Sequence, residues 1–188
     1  VITCFRYNVI CSKNPNDIEK VFNDMARMIS NGEQPNYVLF QKIYISDNEF
    51  ENSFSIKSFT ITSRNTKVIR YILGEIEGSG SGTMIDIDDD EHSIEHILPQ
   101  NPDESWGIDE YKADQLTNRI GNLCLLKKSS NREIGNASYL IKKEVYAKSA
   151  YQTTRSIPEH YPEWNEFSIN SRQKHIAKKA DSIWRLNL

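Results

Sequence analysis

The stretch Ser93-Ile94-Glu95-His96-Ile97-Leu98-Pro99-Gln100 decides how this chain is read. A carboxylate followed at once by a histidine, then two apolar residues and a proline, is an uncommon order. On a strand, successive side chains point to opposite faces, so Glu95 and His96 converge only if the strand ends there and the chain turns. Pro99, with its fixed φ and missing amide hydrogen, gives a reason for that turn. Two further segments extend the pattern. In Asn118-Arg-Ile-Gly-Asn122-Leu-Cys-Leu-Leu126, residues Ile120, Leu123 and Leu125 fit a short buried strand after a glycine turn. In Lys127-Lys-Ser-Ser-Asn131-Arg-Glu-Ile-Gly-Asn136 a helix begins, which Ser129 or Ser130 can cap. The order is strand, loop, strand, helix, with a Glu-His pair on the first strand and Asn131 on the helix. A lone Glu-His pair is ordinarily surface, an asparagine before a helix ordinarily a cap, and paired lysines ordinarily a solvated face. Their joint occurrence in this order gives the motif its weight.

Around this centre the chain reads as helical. Ile18, Val21, Phe22, Met25, Met28 and Ile29 follow the spacing of one buried helix face over residues 16–31, with Asn16 as cap and Asn31-Gly32 as stop. Residues 37–45 read as a helical or extended apolar stretch. Phe50, Phe54, Ile56 and Phe59 suggest a short helical or turn-rich segment. Val68, Ile69, Ile72, Leu73 and Ile76 predict a helix over 65–77. The glycine- and serine-rich run 78–83 reads as a flexible loop. Met84, Ile85 and Ile87 lead into Asp88-Asp89-Asp90-Glu91, a solvated turn by composition. Leu140, Ile141, Val145 and Tyr146 predict a helix over 137–148. Ile176, Ala177, Ala180, Ile183 and Trp184 predict another over 169–185, and Pro158 and Pro162 break the chain between the two. The three tryptophans, Trp106, Trp164 and Trp184, read as core. His160 and His175 read as surface residues, and His92 as surface or support for the motif.

Composition sets bounds. The 188 residues are 38% hydrophobic and 26% charged, which excludes disorder and low-complexity repeats and suffices for a core without disulfides. No apolar run approaches the roughly 18 residues that span a bilayer, so the chain reads as cytoplasmic with no membrane partner. Cys4, Cys11 and Cys124 form no CxxC pair, which argues against a disulfide framework or a cysteine-ligated zinc site. The opening Val1-Ile-Thr-Cys-Phe-Arg-Tyr reads as the trimmed edge of a longer chain. The net charge of -3 hides an asymmetry. Residues 1–110 carry 9 basic against 19 acidic side chains, and residues 111–188 carry 14 against 7. A basic second half suits a polyanion, although many surfaces segregate charge without function.

At these residues the sequence resembles the HNH nucleases, whose ββα-metal (His-Me finger) element carries an acid-His pair, a central Asn and a third His or Asn on the helix. The nine-residue separation of Asn122 and Asn131 is similar to that family's spacing. More closely, "SIEHILPQ", "RIGNLCLL" and "SSNREIGNASYLIKK" resemble the C-terminal HNH domain of GmrSD-type, modification-dependent restriction endonucleases. "VIRYILGEIE" upstream, and "YAKS", Trp164, Arg172 and "SIW" downstream, also fit. The likeness is specific over residues 94–143 and weaker over the first 60. It implies a mainly α fold with a small embedded ββα-metal element, an α+β arrangement. Residues 1–77 would form an N-terminal helical part, and residues 78–188 the nuclease core with C-terminal helices, the two packed as one compact domain.

The resemblance implies roles. His96 would be the general base that activates water, and Asn122 would orient its imidazole through a backbone or side-chain hydrogen bond. Glu95, where many members have Asp, and Asn131, where others have His, would hold one divalent ion. Phosphodiester hydrolysis needs a proton acceptor and charge neutralisation. An imidazole neutral near pH 7 supplies the first, and a hard ion on oxygen ligands, Mg²⁺ or Mn²⁺, the second. Lys127, Lys128, Arg132, Lys142 and Lys143 are candidates for phosphate contacts, which position duplex DNA without reading its sequence. The resemblance also implies anti-phage restriction of modified DNA, with an upstream NTP-using sensor domain on the same chain or a partner subunit. The competing expectations are a non-catalytic nucleic-acid-binding or interaction domain on a decayed nuclease scaffold, which the Glu at position 95 permits, and an RNA-directed nuclease.

Overall fold

Pro15 opens the first long helix, since a missing amide hydrogen costs nothing at the first helical position. The computed structural model describes residues 1–82, 84–86, 88–89 and 91–185; the sequence readings that fall on Thr83, Ile87 and Asp90 lie outside the described residues. A helical turn, α1 (Ile2–Cys4), and a π-helical turn over Phe5–Ile10 precede helix α2 (Pro15–Ser30). The cap of α2 is Asn14, which accepts from the Asn16 amide at 3.1 Å, so the helix starts earlier than the expected cap at Asn16. Ile18, Val21 and Met25 are buried. Phe22 and Ile29, expected on that face, are exposed, and Phe22 instead meets Phe40 edge-on at 5.8 Å.

A 3-10 helix over Tyr37–Ile43 packs on α2 and leads to α3 (Asp47–Ile56), capped by Ser46. Phe50 and Phe54 of α3 are fully buried, whereas Ile56 is exposed. The wholly buried Arg6 ties these pieces together, donating to Asp47 Oδ1 at 2.7 Å, to the Ile45 carbonyl at 3.1 Å and to the Trp184 carbonyl at 3.0 Å.

Helix α4 (Ser63–Ser81), capped by Thr62, runs through most of the stretch expected to be a loop and ends at Gly82, whose φ of +70° suits only glycine well. The reason is tertiary. Glu77 is buried and accepts from the Gln152 amide at 2.6 Å, the Thr153 amide at 2.8 Å and the Thr153 hydroxyl at 2.6 Å, so the helix is pinned there to α8 (Gln152–Arg155).

Strands β1 (His92–His96) and β2 (Leu123–Lys127) pair antiparallel, from His92 opposite Lys127 to His96 opposite Leu123. Between them lie α5 (Glu110–Thr117) and a 3-10 turn over Ile120–Asn122. Strand alternation places the hairpin between two apolar clusters. Leu123 and Leu125, with Ile94 packed against them, join Phe50, Phe54, Ile69, Ile72 and Trp184; Cys124 and Leu126 join Ile97, Leu98, Tyr146 and Trp164. Helix α6 (Lys128–Ile134) follows β2 directly and packs on both strands. Its first position follows Lys127 without a side-chain cap, so the serine caps expected for it do not form.

Helices α7 (Tyr139–Tyr146), α9 (Ile157–His160) and α10 (Glu166–Ile183) complete the chain. In α7 the buried face is Tyr139, Lys142 and Tyr146, while Leu140 and Ile141, expected there, are exposed. Helix α10 crosses both clusters, with Ile169 in one and Ile176, Ala177 and Ala180 in the other. It lies hard against Gly121, where an added Cβ would come within 2.3 Å of the Ile169 carbonyl oxygen and 2.7 Å of Gln173 Cβ. Trp164 and Trp184 are buried as expected, and Trp106 is half-buried.

Candidate active site

The site is built on the exit of β1. His96 is the last residue of the strand, and the chain is caught immediately afterwards by Asn122. The Asn122 carbonyl accepts from the Ile97 amide at 3.0 Å, and its side-chain oxygen accepts from the Leu98 amide at 2.8 Å. Its side-chain nitrogen donates to the Leu98 carbonyl at 2.8 Å and to the Thr117 carbonyl at 2.9 Å. Trp164 Nε1 adds a donor to the side-chain oxygen at 3.0 Å. Asn122 is fully buried and every polar atom of its side chain is used, as a buried amide requires. It therefore shapes the backbone that carries His96, through its own carbonyl and its side chain, and no hydrogen bond runs from it to the imidazole.

The His96 ring is half-buried, and its Nε2 is buried without a hydrogen-bond partner. Burial pulls its pKa down to about 4; the neighbouring Lys142 charge lowers it further, and the Asn118 side chain opposes both. Asn118 Oδ1 is itself buried without a partner, so its approach to the ring falls short of a hydrogen bond. The result is an imidazole that is neutral at pH 7 beside an unused acceptor. Asn118 was not singled out from the sequence, and nothing in its spacing marks it.

Because β1 continues through His96, Glu95 and His96 do diverge. Glu95 turns inward beneath α7, where its Oε1 accepts from Lys142 Nζ at 2.6 Å and from the Tyr146 hydroxyl at 2.8 Å. Burial raises the Glu95 pKa, and Lys142 and Tyr146 oppose that rise; Tyr146 is pushed well above its ordinary value, first by burial. Lys142 is fully buried. It also donates to the His96 carbonyl at 2.7 Å, and its ammonium lies 5.9 Å from the centre of the Trp106 ring. Read above as a phosphate contact, Lys142 is instead an interior counter-charge. The signal that would have found it is the i, i+3, i+7 spacing of Tyr139, Lys142 and Tyr146, which puts the lysine on the apolar face.

Asn131, half-buried on α6, donates from Nδ2 to Ser93 Oγ and to the Ile94 carbonyl, both at 3.0 Å. It fastens the helix to β1. The three side chains expected to meet thus have separate partners: Glu95 faces α7, His96 faces Asn118, and Asn131 faces the start of β1. The donor set also fails a charge test. The carboxylate proposed as ligand is already neutralised by an ammonium 2.6 Å away, so a divalent ion on it would sit against a like charge. Among the described residues no group of three or more His, Cys, Asp or Glu side chains is placed to hold a metal ion. Of the other basic candidates, Lys127, Lys128 and Arg132 are exposed, and Lys143 is half-buried.

His92, four residues before His96, is held through its ring by the Tyr151 hydroxyl and lies 3.7 Å from Asp89, while Arg70 holds its carbonyl. It anchors the start of β1.

A hairpin that runs directly into a packed helix, set in a mainly helical body with a Glu-His pair on its first strand, defines a helical domain organised round a ββα element. A family model described as the C-terminal domain of GmrSD restriction endonucleases matches residues 44–179. The match spans well over half of the chain and includes both strands, Asn122, α6 and most of α10. The chain belongs to that family, and its class is that of a restriction-nuclease domain. No curated protein matches it. Among the described residues no helix is long and apolar enough to cross a membrane.

Proposed function

We propose that this domain hydrolyses phosphodiester bonds in DNA as an HNH-type endonuclease, with His96 as general base, in a bacterial system that restricts modified phage DNA. The observation that carries this reading is a neutral, half-buried imidazole with an unpartnered nitrogen, at the end of a strand fixed by Asn122, in a chain of the restriction-endonuclease family. A neutral imidazole accepts a proton from the attacking water. Its pKa of about 4 makes it a weak base in the free protein. A phosphate brought beside it favours the charged form and raises that pKa toward the working pH. Lys142 and Asn122 both hold the backbone at His96 and keep the ring in place. Exposed Lys127, Lys128 and Arg132 supply phosphate contacts, joined by Lys143.

A divalent ion, Mg²⁺ or Mn²⁺, enters this reading through the family alone. Glu95 and Asn131 do not fit it as arranged, and no step here passes through it. The upstream NTP-using sensor and the modified DNA target stand on the same footing, as does a cytoplasmic setting.

One observation favours a second reading, a non-catalytic nucleic-acid-binding domain: the acid of the Glu-His pair is sealed into an internal ion pair. Nicking of supercoiled plasmid separates the two, with Mg²⁺, Mn²⁺ or EDTA and with His96→Ala beside the parent. Cleavage that disappears in the variant supports the nuclease. A parent that shifts DNA in a gel yet leaves it intact under every metal supports the binder, and a variant that cuts as well as the parent removes His96 from the chemistry. Structured RNA in a parallel lane tests the choice of nucleic acid.

A further inference from the structure

Away from His96, a cavity of about 260 Å³ opens between α4, α8, α9 and α10. Ile76 and Ile176 form part of an apolar wall, and Arg172, Lys179, His160 and His175 also line it. No acidic side chain is among its described lining residues. Arg172 is the unusual member. Its side chain is buried, with residue exposure of 5%, and its Nη1 donates to the Gly121 and Leu123 carbonyls at 2.7 and 2.8 Å. Those are neutral partners. Among the described residues no carboxylate lies within ion-pair distance of Arg172. Glu77, next in sequence to the wall residue Ile76, is spent on the Gln152 and Thr153 donors.

Buried charges are ordinarily paired, because desolvating an unpaired one is costly. Here a buried arginine lines a cavity whose lysine and two histidines can also carry positive charge, and the Tyr161 phenol is its one other titratable side chain. The crowding is felt at His175, which burial and then the Lys179, His160, Arg172 and Lys178 charges hold below its ordinary pKa. The missing partner is therefore an anion supplied from outside. The apolar wall requires that the anion be carried on an apolar or planar body. The volume lies just under the range of about 300–1,000 Å³ usual for small-molecule sites, which suits one nucleotide and not two.

We propose that this cavity binds the phosphate of a single nucleotide, with Arg172 as the buried counter-charge and Lys179 and His175 at the mouth. The nucleotide is either free or the 5′-phosphorylated end of a DNA strand. The site shares no lining residue with the surroundings of His96, so it stands or falls independently of catalysis.

Calorimetric titration of the intact chain tests this with four probes: a deoxynucleoside 5′-monophosphate, the same deoxynucleoside without phosphate, and a short oligothymidylate with and without a 5′-phosphate. Each is measured on the parent, on Lys179→Glu/His175→Glu, and on Lys20→Glu, an exposed position on α2, as a control elsewhere on the surface. The expected result is saturable binding of at least one phosphorylated probe, weakened at least tenfold by loss of its phosphate and at least tenfold by the double charge reversal, and unchanged in the control. Preference for the monophosphate identifies a free nucleotide, and preference for the phosphorylated oligomer identifies a strand end. No binding of either phosphorylated probe overturns the proposal, as does equal affinity in the double variant or for the unphosphorylated probes. Far-ultraviolet circular dichroism and unchanged thermal unfolding of the double variant, in which His175 is exposed and Lys179 half-buried, exclude misfolding as the cause of a loss.

Discussion

Replacing Lys142 by methionine keeps the length of the side chain and removes its charge, and its consequences can be worked out. Glu95 stays where it is, 4% exposed, but loses the ammonium that neutralises it. Breaking a buried pair from one side costs about 3–5 kcal/mol, because the remaining charge has neither water nor a partner. The Tyr146 hydroxyl remains as a donor and holds the loss toward the lower figure. Against a total stability of about 5–15 kcal/mol this is a large fraction. For a domain of this size it lowers Tm by roughly 6–20 °C.

The loss depends on pH with a definite sign. The folded-state pKa of Glu95 is already raised, and removing Lys142 raises it further. A carboxyl with a raised folded pKa supports the fold while protonated and costs stability as the pH climbs through that pKa. The destabilisation of Lys142→Met is therefore greatest at pH 7–8 and shrinks in mild acid. Adding Glu95→Gln removes the stranded charge and should return most of the loss at pH 7.5. Urea unfolding of the parent, the single variant and the double variant at two pH values reads all three effects. If Lys142→Met unfolds with the parent at both pH values while DNA binding weakens, Lys142 is a surface phosphate contact and the account of the Glu95 pair is wrong.

Four further outcomes are expected. His96→Gln should lose less stability than the parent between pH 6.5 and 4: the parent's histidine must charge on unfolding in that window, a term of up to about 3 kcal/mol that grows as the pH falls, and identical acid titrations of stability would remove it. Gly121→Ala should cost about 1–3 kcal/mol in chemical unfolding, since the new methyl meets the α10 backbone; an unchanged midpoint would mean that α10 moves aside freely. Glu77→Ala should cost on the order of 3 kcal/mol and expose the amides of Gln152 and Thr153 to hydrogen exchange, and continued protection there would refute the pin between α4 and α8. Lys127→Ala should weaken DNA binding evenly across sequences and lower the slope of log affinity against log salt by about one, whereas an unchanged slope would take Lys127 off the phosphates.

The hairpin and the helix after it were legible because their signals are local. Glycine at 121, alternating Leu123 and Leu125, and the turn forced near Pro99 need no distant partner to be read. The exposed Phe22 and Ile29, and the helical continuation through Gly78 to Ser81, were not legible, because what decides them lies elsewhere in the chain: Phe40 for the first and the Glu77 tie to α8 for the last. At the site, His96 and Asn122 stand at one strand exit, as their order suggests. Asn122 holds the backbone after His96 and not the ring, because a fully buried amide spends its polar atoms on the chain around it. Lys142 was misread because a lysine is assumed to face water until its place on a helix face says otherwise. The part given to Glu95 came from the family resemblance, which carries no sign of the ammonium that lies against this carboxylate.

The two bonds donated by the Asn122 amide nitrogen have an architectural consequence. Leu98 and Thr117, the points where the chain departs from the motif and rejoins it, are stapled to the same atom. The excursion between them is closed at its base and folds back on the domain, where Leu116 joins the apolar cluster of Ile97 and Trp164 and Trp106 and Ile108 pack against it. The base of the loop and the backbone after His96 are thereby fixed by one side chain, while Trp106, beside the Lys142 ammonium, links the middle of the loop to the same place.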